Sequence, residues 1–376
     1  MAAARRAPRV LFYVQHLLGI GHLVRASRIA DALLAGGFEI TVISGGVATK
    51  GFPAPEIPVV ALPAIKSRDI EFSALVNEHG QPIDKQFKER RREQLIAALR
   101  SLRPHVLIIE AYPFGRRQMR FELLPLLEAA QAMKPRPLIV SSIRDILQVN
   151  RQPGRAEETV ALIEQFFDLV MVHGDPQFMT LDKSFPLARV IAGKTAYTGF
   201  IAPPLSPPGE ERFEVVVSCG GGAAAGELLS AAATTAERLS SDESRWCIIT
   251  GPNLPATRLG AALPAGIALF QFRKDFSALL AGARLSISQA GYNTVCDILR
   301  AKCRSVVVPF AGKDETEQSM RAERLSELGL AHRIREQDLT VDTLASAIAR
   351  PLAAPPDHNL DLEGAAETAR LLRERV

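Results

Sequence analysis

Short apolar runs alternate with longer amphipathic stretches along almost the whole chain. Val10 to Val14 (VLFYV), Phe38 to Ile43, Val59-Val60, His105 to Ile109, Leu138 to Ser142 and Leu169 to Val172 are predicted as strands. Uninterrupted apolar runs of this length suit strands covered on both faces. Between them, Leu23–Ala35, Gln86–Arg103, Phe121–Met133 and Glu157–Phe167 place apolar residues at helical spacing. Strand and helix in alternation predict a parallel sheet with right-handed crossovers. Lys66 to Gln86 fits neither period and reads as a polar, irregular, mobile loop.

A second series of the same kind starts at Phe213–Ser218. It runs through a helix to about Leu239, strands Trp246–Thr250, Ile267–Phe270 and Leu285–Ser288, helix Asn293–Lys302 and strand Ser305–Phe310. Helices Leu339–Arg350 and Glu363–Arg373 close it. Between the series, Ile201 to Glu211 carries four prolines and reads as a semi-rigid linker. The expected organisation is a first domain over residues 1–200, a linker over 201–211 and a second domain over 212–355. A terminal helix in 356–376 is expected to pack back toward the first domain.

Composition narrows the possible partners. A chain of 376 residues is long for one core and suits two. The 45 basic and 41 acidic side chains leave a net charge of +4, too balanced for a nucleic-acid partner. The pI of about 8.9 allows weak peripheral attraction to an anionic membrane. Cys219, Cys247, Cys296 and Cys303 show neither C-x-x-C nor cysteine–histidine spacing, so no zinc site or disulfide framework is expected. No apolar stretch suits a signal peptide or a membrane span, and a cytoplasmic location is expected. In the Gln86–Arg103 helix, Phe87, Leu95, Ile96 and Leu99 form the expected buried stripe. The Lys88-Glu89-Arg90-Arg91-Arg92 run reads as its solvated face.

The chemistry gathers at strand ends. His16 and His22 follow the first strand, Glu110 and Arg116 follow the fourth, Arg144 and Asp145 the fifth, and His173 and Asp175 the sixth. Any one of these could be a structural residue, and His22 could simply cap its helix. In parallel sheets ligands bind beyond the carboxyl ends of the strands, so together they point to a site. The first turn, Gly19-Ile20-Gly21-His22, lacks the third glycine and the acidic residue of the dinucleotide fingerprint. In the second half, Gly220-Gly221-Gly222 and Ala290-Gly291 each lead from a strand into a helix, where free N–H groups suit a phosphate. The loop from Lys313 to Gln318 is dense in groups that bind hydroxyls.

The second half carries S-x-A-G-x-x-T-V-x-D from Ser288, V-P-F-x-x-K-D from Val308, then Glu317-Gln318 with Ala322 four residues on. With the G-x-G-H turn and the glycine loop, this ordered set resembles the GT-B glycosyltransferases of family 28. The resemblance covers most of the chain and is strongest from Cys219 to Ala331. It implies an α/β fold of two Rossmann-like, doubly wound domains facing each other across a cleft. It also implies a UDP-sugar-dependent glycosyltransferase needing no cofactor and no bound metal, moving N-acetylglucosamine or a related hexose to a small-molecule, glycan or lipid-linked acceptor.

By the same resemblance, Gly19, Gly21 and Gly220 to Gly222 would lie close to the donor, the last three at its pyrophosphate. Phe272, Arg273 and Lys274 would frame the uracil, and Ser288, Ala290 and Gly291 would face the diphosphate. Asp297 would take the ribose position, one methylene shorter than the family's usual glutamate. Glu317 and Gln318 would read sugar hydroxyls from a loop one residue longer than usual. His22 would be the general base or a stabiliser of the reacting centre. Glu110 is the alternative base, or else the group that orients Arg116, Arg144 or another cation. Arg116, Arg144, Asp145 and His173 would serve the acceptor side. The form G-x-G-H-x-x-R-A, with Arg25 and Ala26, also resembles UDP-sugar hydrolases, where the histidine would activate water. Hydrolysis or epimerisation of a nucleotide-sugar, and plain nucleotide-sugar binding, are the competing readings.

Overall fold

The structure is a computed structural model that describes residues 7–49, 51–68, 74–149, 152–218, 226–239, 245–251, 266–312, 315–349 and 356–376. The chain divides into two compact units, Met1–Ile201 with Glu363–Val376, and Ala202–Leu362.

The first unit is built on β1 (Arg9–Val14), β2 (Glu39–Ser44), β3 (Val59–Ala61), β6 (Val106–Glu110), β7 (Leu138–Arg144), β8 (Leu169–His173) and β9 (Thr195–Tyr197). These strands form one sheet in the order β3-β2-β1-β6-β7-β8-β9, with every pairing parallel. The residues of β6 and β8 are all buried, as the unbroken apolar runs require of strands covered on both faces. Helices α1 (Gly21–Ala35), α2 (Lys85–Leu102), α3 (Arg120–Gln131) and α4 (Arg155–Phe166) connect them. On α1 the buried stripe is Leu23, Ala26, Ile29, Ala30 and Leu33. The Asp84 carboxylate starts α2 by accepting from the Phe87 N–H at 2.7 Å.

The strand order reverses at β1. The chain moves outward through β2 and β3, then returns to lay β6 on the other side of β1. That reversal opens a crevice at the carboxyl ends of β1 and β6.

The second unit repeats the plan with β10 (Val215–Ser218), β11 (Trp246–Ile249), β12 (Ile267–Phe270), β13 (Leu285–Ser288), β14 (Ser305–Val307) and β15 (His332–Arg333). Their order is β12-β11-β10-β13-β14-β15, again parallel throughout. Here the reversal lies between β10 and β13, whose last residues, Ser218 and Ser288, are register partners. Helices α5 (Gly226–Leu239), α6 (Phe276–Gly282), α7 (Tyr292–Ala301), α8 (Glu317–Glu327) and α9 (Val341–Ala349) cover this sheet.

The last helix, α10 (Gly364–Arg373), belongs to the first unit and packs on α1. The Gly364 N–H donates to the Phe200 carbonyl at 3.0 Å. A side chain at Gly364 would collide with the backbone carbonyl of Gly199, so only glycine fits there. The Arg373 guanidinium lies 4.3 Å from the centre of the Phe38 ring.

Three expectations need correction. Lys66–Gln86 is not wholly irregular: β4 (Ile65–Ser67) and β5 (Leu75–Asn77) pair antiparallel, with Ile65 and Val76 turned inward. Three-residue strands are too short to show a period in sequence. The strand at Ser305 stops at Val307, ahead of Pro309. The third correction is Arg91. Far from lying on a solvated face, it is fully buried. Its guanidinium donates to both oxygens of Glu122 (2.7 and 2.8 Å), to Gln15 Oε1 (2.9 Å) and to the Gly45 carbonyl (3.0 Å). It also donates to the Pro63 carbonyl. Tyr13 adds its hydroxyl to Glu122 at 2.6 Å. A buried guanidinium needs this many partners because desolvation of the charge is otherwise prohibitive.

Candidate active site

The reversal point of the first sheet brings His22 and Glu110 together. His22 stands in the first turn of α1, directly after β1, and Glu110 is the last residue of β6. His22 Nδ1 lies 3.0 Å from Glu110 Oε1. Glu110 is completely buried and Arg25, one turn along α1, pairs with the same oxygen. Its other oxygen accepts from the Ser142 hydroxyl at 2.7 Å. Burial pushes the Glu110 pKa up, but the Arg25 charge and the His22 and Ser142 hydrogen bonds outweigh it and hold it well below the usual range. An ionised carboxylate can only accept, so the proton between it and His22 sits on Nδ1. Nε2 is left with its lone pair and carries no hydrogen bond among the described residues.

The His22 side chain keeps 17 % of its surface exposed, enough for a ligand to reach Nε2. Burial first, then the positive Arg116, lowers its pKa to about 3 against the pull of Glu110, so the ring is neutral at physiological pH. Glu110 is therefore not a second base. It selects the tautomer of His22 and holds the ring in place, while Arg25 balances its charge.

The other strand ends are more varied. Arg116 is in the left-handed region (φ 58°) and donates from Nε to the Gln15 carbonyl at 2.8 Å. Burial and the neighbouring charge of Arg144 lower its pKa to about 10. Arg144 is half-buried and Asp145 buried. His16 is buried too, with Nε2 2.9 Å from the Val47 carbonyl. His173, expected on the acceptor side, is fully enclosed between Ser142 and Thr198 and presents no surface to a ligand. Its pKa is lowered to about 3 by burial and then by Arg25.

These two depressed histidines make a prediction for stability. Each stays neutral in the folded protein down to about pH 3, whereas an unfolded chain takes up the proton near 6.5. Their contribution is complete above pH 6.5 and is lost as pH falls through that window. Denaturant titrations should show stability declining from pH 7 to pH 4, by at most about 1.4 kcal/mol per pH unit for each histidine. A flat profile would mean that the rings are solvated or already charged.

In the second unit, β13 ends at Ser288, whose hydroxyl is buried and unpartnered among the described residues. Gln289, Ala290 and Gly291 follow, and α7 begins with Gly291 as its cap residue. Gly291 gives no side-chain cap and no acidic residue stands in the first turn, so the positive dipole end is not opposed by a charge of its own first turn. The equivalent turn after β10, with Gly220, Gly221 and Gly222, lies outside the described residues, as do Lys313 and Asp314.

Asp297 lies on α7, nearly buried, with the Ser277 hydroxyl 3.5 Å away. Glu317 is buried and accepts from Arg321 at 2.8 Å, while Arg321 also donates to the Ala290 carbonyl at 2.8 Å. The glutamate thus braces the α7 turn in this structure. Gln318 accepts from the Phe310 N–H at 3.2 Å. Neither contact was foreseen, nor was Glu315, which caps α8 by accepting from the N–H groups of Glu317 (2.7 Å) and Gln318 (3.2 Å). Of the expected base-binding residues, Phe272 is 52 % exposed, and Arg273 is tied to Glu211 and Asp275 at 2.8 and 2.7 Å. Lys274 is exposed. Among the described residues, no group of three or more His, Cys, Asp or Glu is placed to hold a metal ion. No described helix is long and apolar enough to cross a membrane.

Two parallel sheets, each with its candidate ligand groups at the reversal point, define the class, and known proteins bear this out. Residues 215–373 match the family model for the glycosyltransferase family 28 C-terminal domain. The full chain has the GT-B fold of solved glycosyltransferases. It aligns with the calicheamicin glycosyltransferase CalG4 over 98 % of this chain and 95 % of that one (TM-score 0.61, 19 % identity). With Acinetobacter baumannii MurG the figures are 98 % and 96 % (TM-score 0.55, 16 % identity). In sequence, the chain is 36 % identical over 99 residues to the UDP-N-acetylglucosamine--N-acetylmuramyl-(pentapeptide) pyrophosphoryl-undecaprenol N-acetylglucosamine transferase of Phenylobacterium zucineum. It is 30 % identical over 106 residues to the protein of that name from Methylobacterium radiotolerans. The matched stretches span only about a quarter of this chain and of each relative, 26 % and 28 %.

Proposed function

We propose that the protein is a glycosyltransferase that takes its sugar from a UDP-sugar, with N-acetylglucosamine or a related hexose as the group moved. The observation that carries this reading is His22, a neutral, partly exposed imidazole whose Nδ1 is taken by Glu110 and whose Nε2 is open. Such a ring can accept the proton of an attacking hydroxyl as its oxygen bonds to the anomeric carbon. The second unit would hold the donor, with the diphosphate at the α7 N-terminus and the Ser288 hydroxyl beside it. Charge growing on the departing UDP would be met there by amides and the helix dipole. The choice of UDP rests on relatives whose names specify UDP-N-acetylglucosamine. The transfer needs no resident metal in this reading. Asp297, Glu317, Gln318 and the Phe272–Lys274 turn would complete the donor site, and Arg116 and Arg144 the acceptor side.

His22 would serve water as readily as an alcohol, which keeps UDP-sugar hydrolysis as the second reading. The test begins with the donor. A panel of UDP-, dTDP-, GDP- and ADP-sugars is added and the melting temperature read. A UDP-sugar at a hundred times its Kd should stabilise the protein by about 2.7 kcal/mol, a rise of several degrees. If none of the panel stabilises it, the reading is wrong. Candidate acceptors are then tried with the best donor and UDP release is followed. Release as fast without an acceptor as with the best one assigns the protein to hydrolysis.

A further inference from the structure

Behind Glu110, three more groups continue the hydrogen-bonded line, and counting protons along it leaves one arrangement. Ser142 Oγ lies 2.7 Å from Glu110 Oε2 and 2.9 Å from His173 Nε2. A hydroxyl has one proton, and at 2.7 Å from a buried carboxylate that proton must point at the charge. Were it turned to His173, two oxygens would face each other with nothing between them, and a buried carboxylate oxygen would go unsatisfied. Ser142 therefore accepts from His173, which must carry its proton on Nε2. His173 Nδ1 then accepts from the Thr198 hydroxyl, 2.8 Å away. The sequence of donors is Thr198 to His173, His173 to Ser142, and Ser142 to Glu110. From the other side, His22 Nδ1 and Arg25 both donate to Glu110 Oε1.

We infer that His173 is a positioning residue for His22, fixing the Ser142 proton on Glu110 and so limiting how strongly the carboxylate draws a second proton onto the His22 ring. This rests on the reading of His22 as the base. The groups facing His22 are Glu110 on β6, Arg25 on α1 and Arg116 beyond β6. Those around His173 are Ser142 on β7 and Thr198, with the charges of Arg25 and Glu110 nearby. Every donor given to Glu110 by Ser142 spreads its negative charge and weakens its preference for a protonated His22. Loss of that donor should therefore let His22 take up a proton at higher pH. The complete burial of His173 fits this role and leaves it no part in touching an acceptor.

The test uses the full-length protein labelled with 15N-histidine, whose seven histidines are assigned with single substitutions. Ring nitrogen shifts should show His173 as the Nε2–H tautomer and His22 as the Nδ1–H tautomer. In Ser142→Ala, His173 should change to Nδ1–H, because Thr198 can turn its own proton to the Gly199 carbonyl 3.1 Å away. In the same variant His22 should protonate at higher pH. The acid limb of the turnover profile should move to higher pH with it, so that turnover on that limb falls about tenfold for each unit that His22 moves. The KM for the donor should hold within twofold. Ser142→Thr keeps the hydroxyl and should restore all of these, which a packing defect would not do. An Nδ1–H tautomer of His173 in the unaltered protein overturns the inference, as does a Ser142→Ala variant in which His22 is unmoved. If His22 moves as stated while no nucleotide-sugar is ever turned over, only the transferase reading falls. An acid limb unmoved in Ser142→Ala sinks this inference and leaves the transferase reading intact.

Discussion

Replacing His22 with alanine should lower turnover of the best donor–acceptor pair by about a thousandfold, the middle of the range for loss of a positioned base. Donor affinity should be nearly unchanged, because the proposed phosphate and sugar contacts are all made by the second unit. Calorimetry with UDP alone therefore distinguishes a lost base from a damaged fold. The Glu110→Gln variant makes a useful companion. Its amide can still accept from His22, but it no longer neutralises Arg25, which is buried. Activity should fall less than in His22→Ala, while stability falls more. A His22→Ala variant with undiminished turnover would remove the histidine from the chemistry and hand the role of base to another group.

The second large effect is expected away from the chemistry. Arg91→Met removes the cation from a fully enclosed site in which Glu122, Gln15, Gly45 and Pro63 all accept from it. Glu122 would be left as an unpaired buried charge, a loss of about 3–5 kcal/mol. In a protein of this size that corresponds to a fall in Tm of about 10 °C. Tyr13 gives Glu122 one hydrogen bond but has no cationic form, so it cannot supply the missing countercharge. The double variant Arg91→Met, Glu122→Leu takes out both charges and should recover at least half of the loss. If the double variant melts no higher than the single one, the packing of the long side chain matters and its charge does not. Turnover should suffer as well, since the freed Gln15 also presents the carbonyl that anchors Arg116.

Arg91 also shows why parts of this molecule are hard to read from its sequence. It sits inside a run of charged residues, yet it is spaced by four from both Phe87 and Leu95, and Leu99 continues the row. The buried positions of α2 are Arg91, Leu95 and Leu99. The spacing was visible, but its meaning depended on Glu122 arriving from α3, thirty-one positions later. The unbroken apolar strands were legible because a sheet covered on both faces admits little else. His22 and Glu110 were legible as strand-end residues, and the sequence left open whether Glu110 is a base or orients a neighbouring cation; in the structure its carboxylate meets His22, Arg25 and Ser142. The chain from Glu110 through Ser142 and His173 to Thr198 was not legible. It depends on the β6–β7–β8 register, which opposes Glu110 to Ser142 and Arg144 to His173. Likewise, Glu317 carried its family position in sequence, while the pairing with Arg321 that occupies its carboxylate required the turn of α8 to be seen.

The placement of α10 has a bearing on how this chain is made. The sheet of the first unit is translated ahead of the second unit, but the helix that covers α1 comes only after it, about 160 residues beyond Ile201. At roughly 5–20 residues per second, translation of the second unit leaves the rest of the first unit without α10 for roughly ten to thirty seconds. In that interval the nascent first unit has all its strands but one helix face bare, a surface that a chaperone would recognise. The unit begun first is the last to be completed, and Gly364, which must slip beneath the Gly199 carbonyl, is where that completion starts.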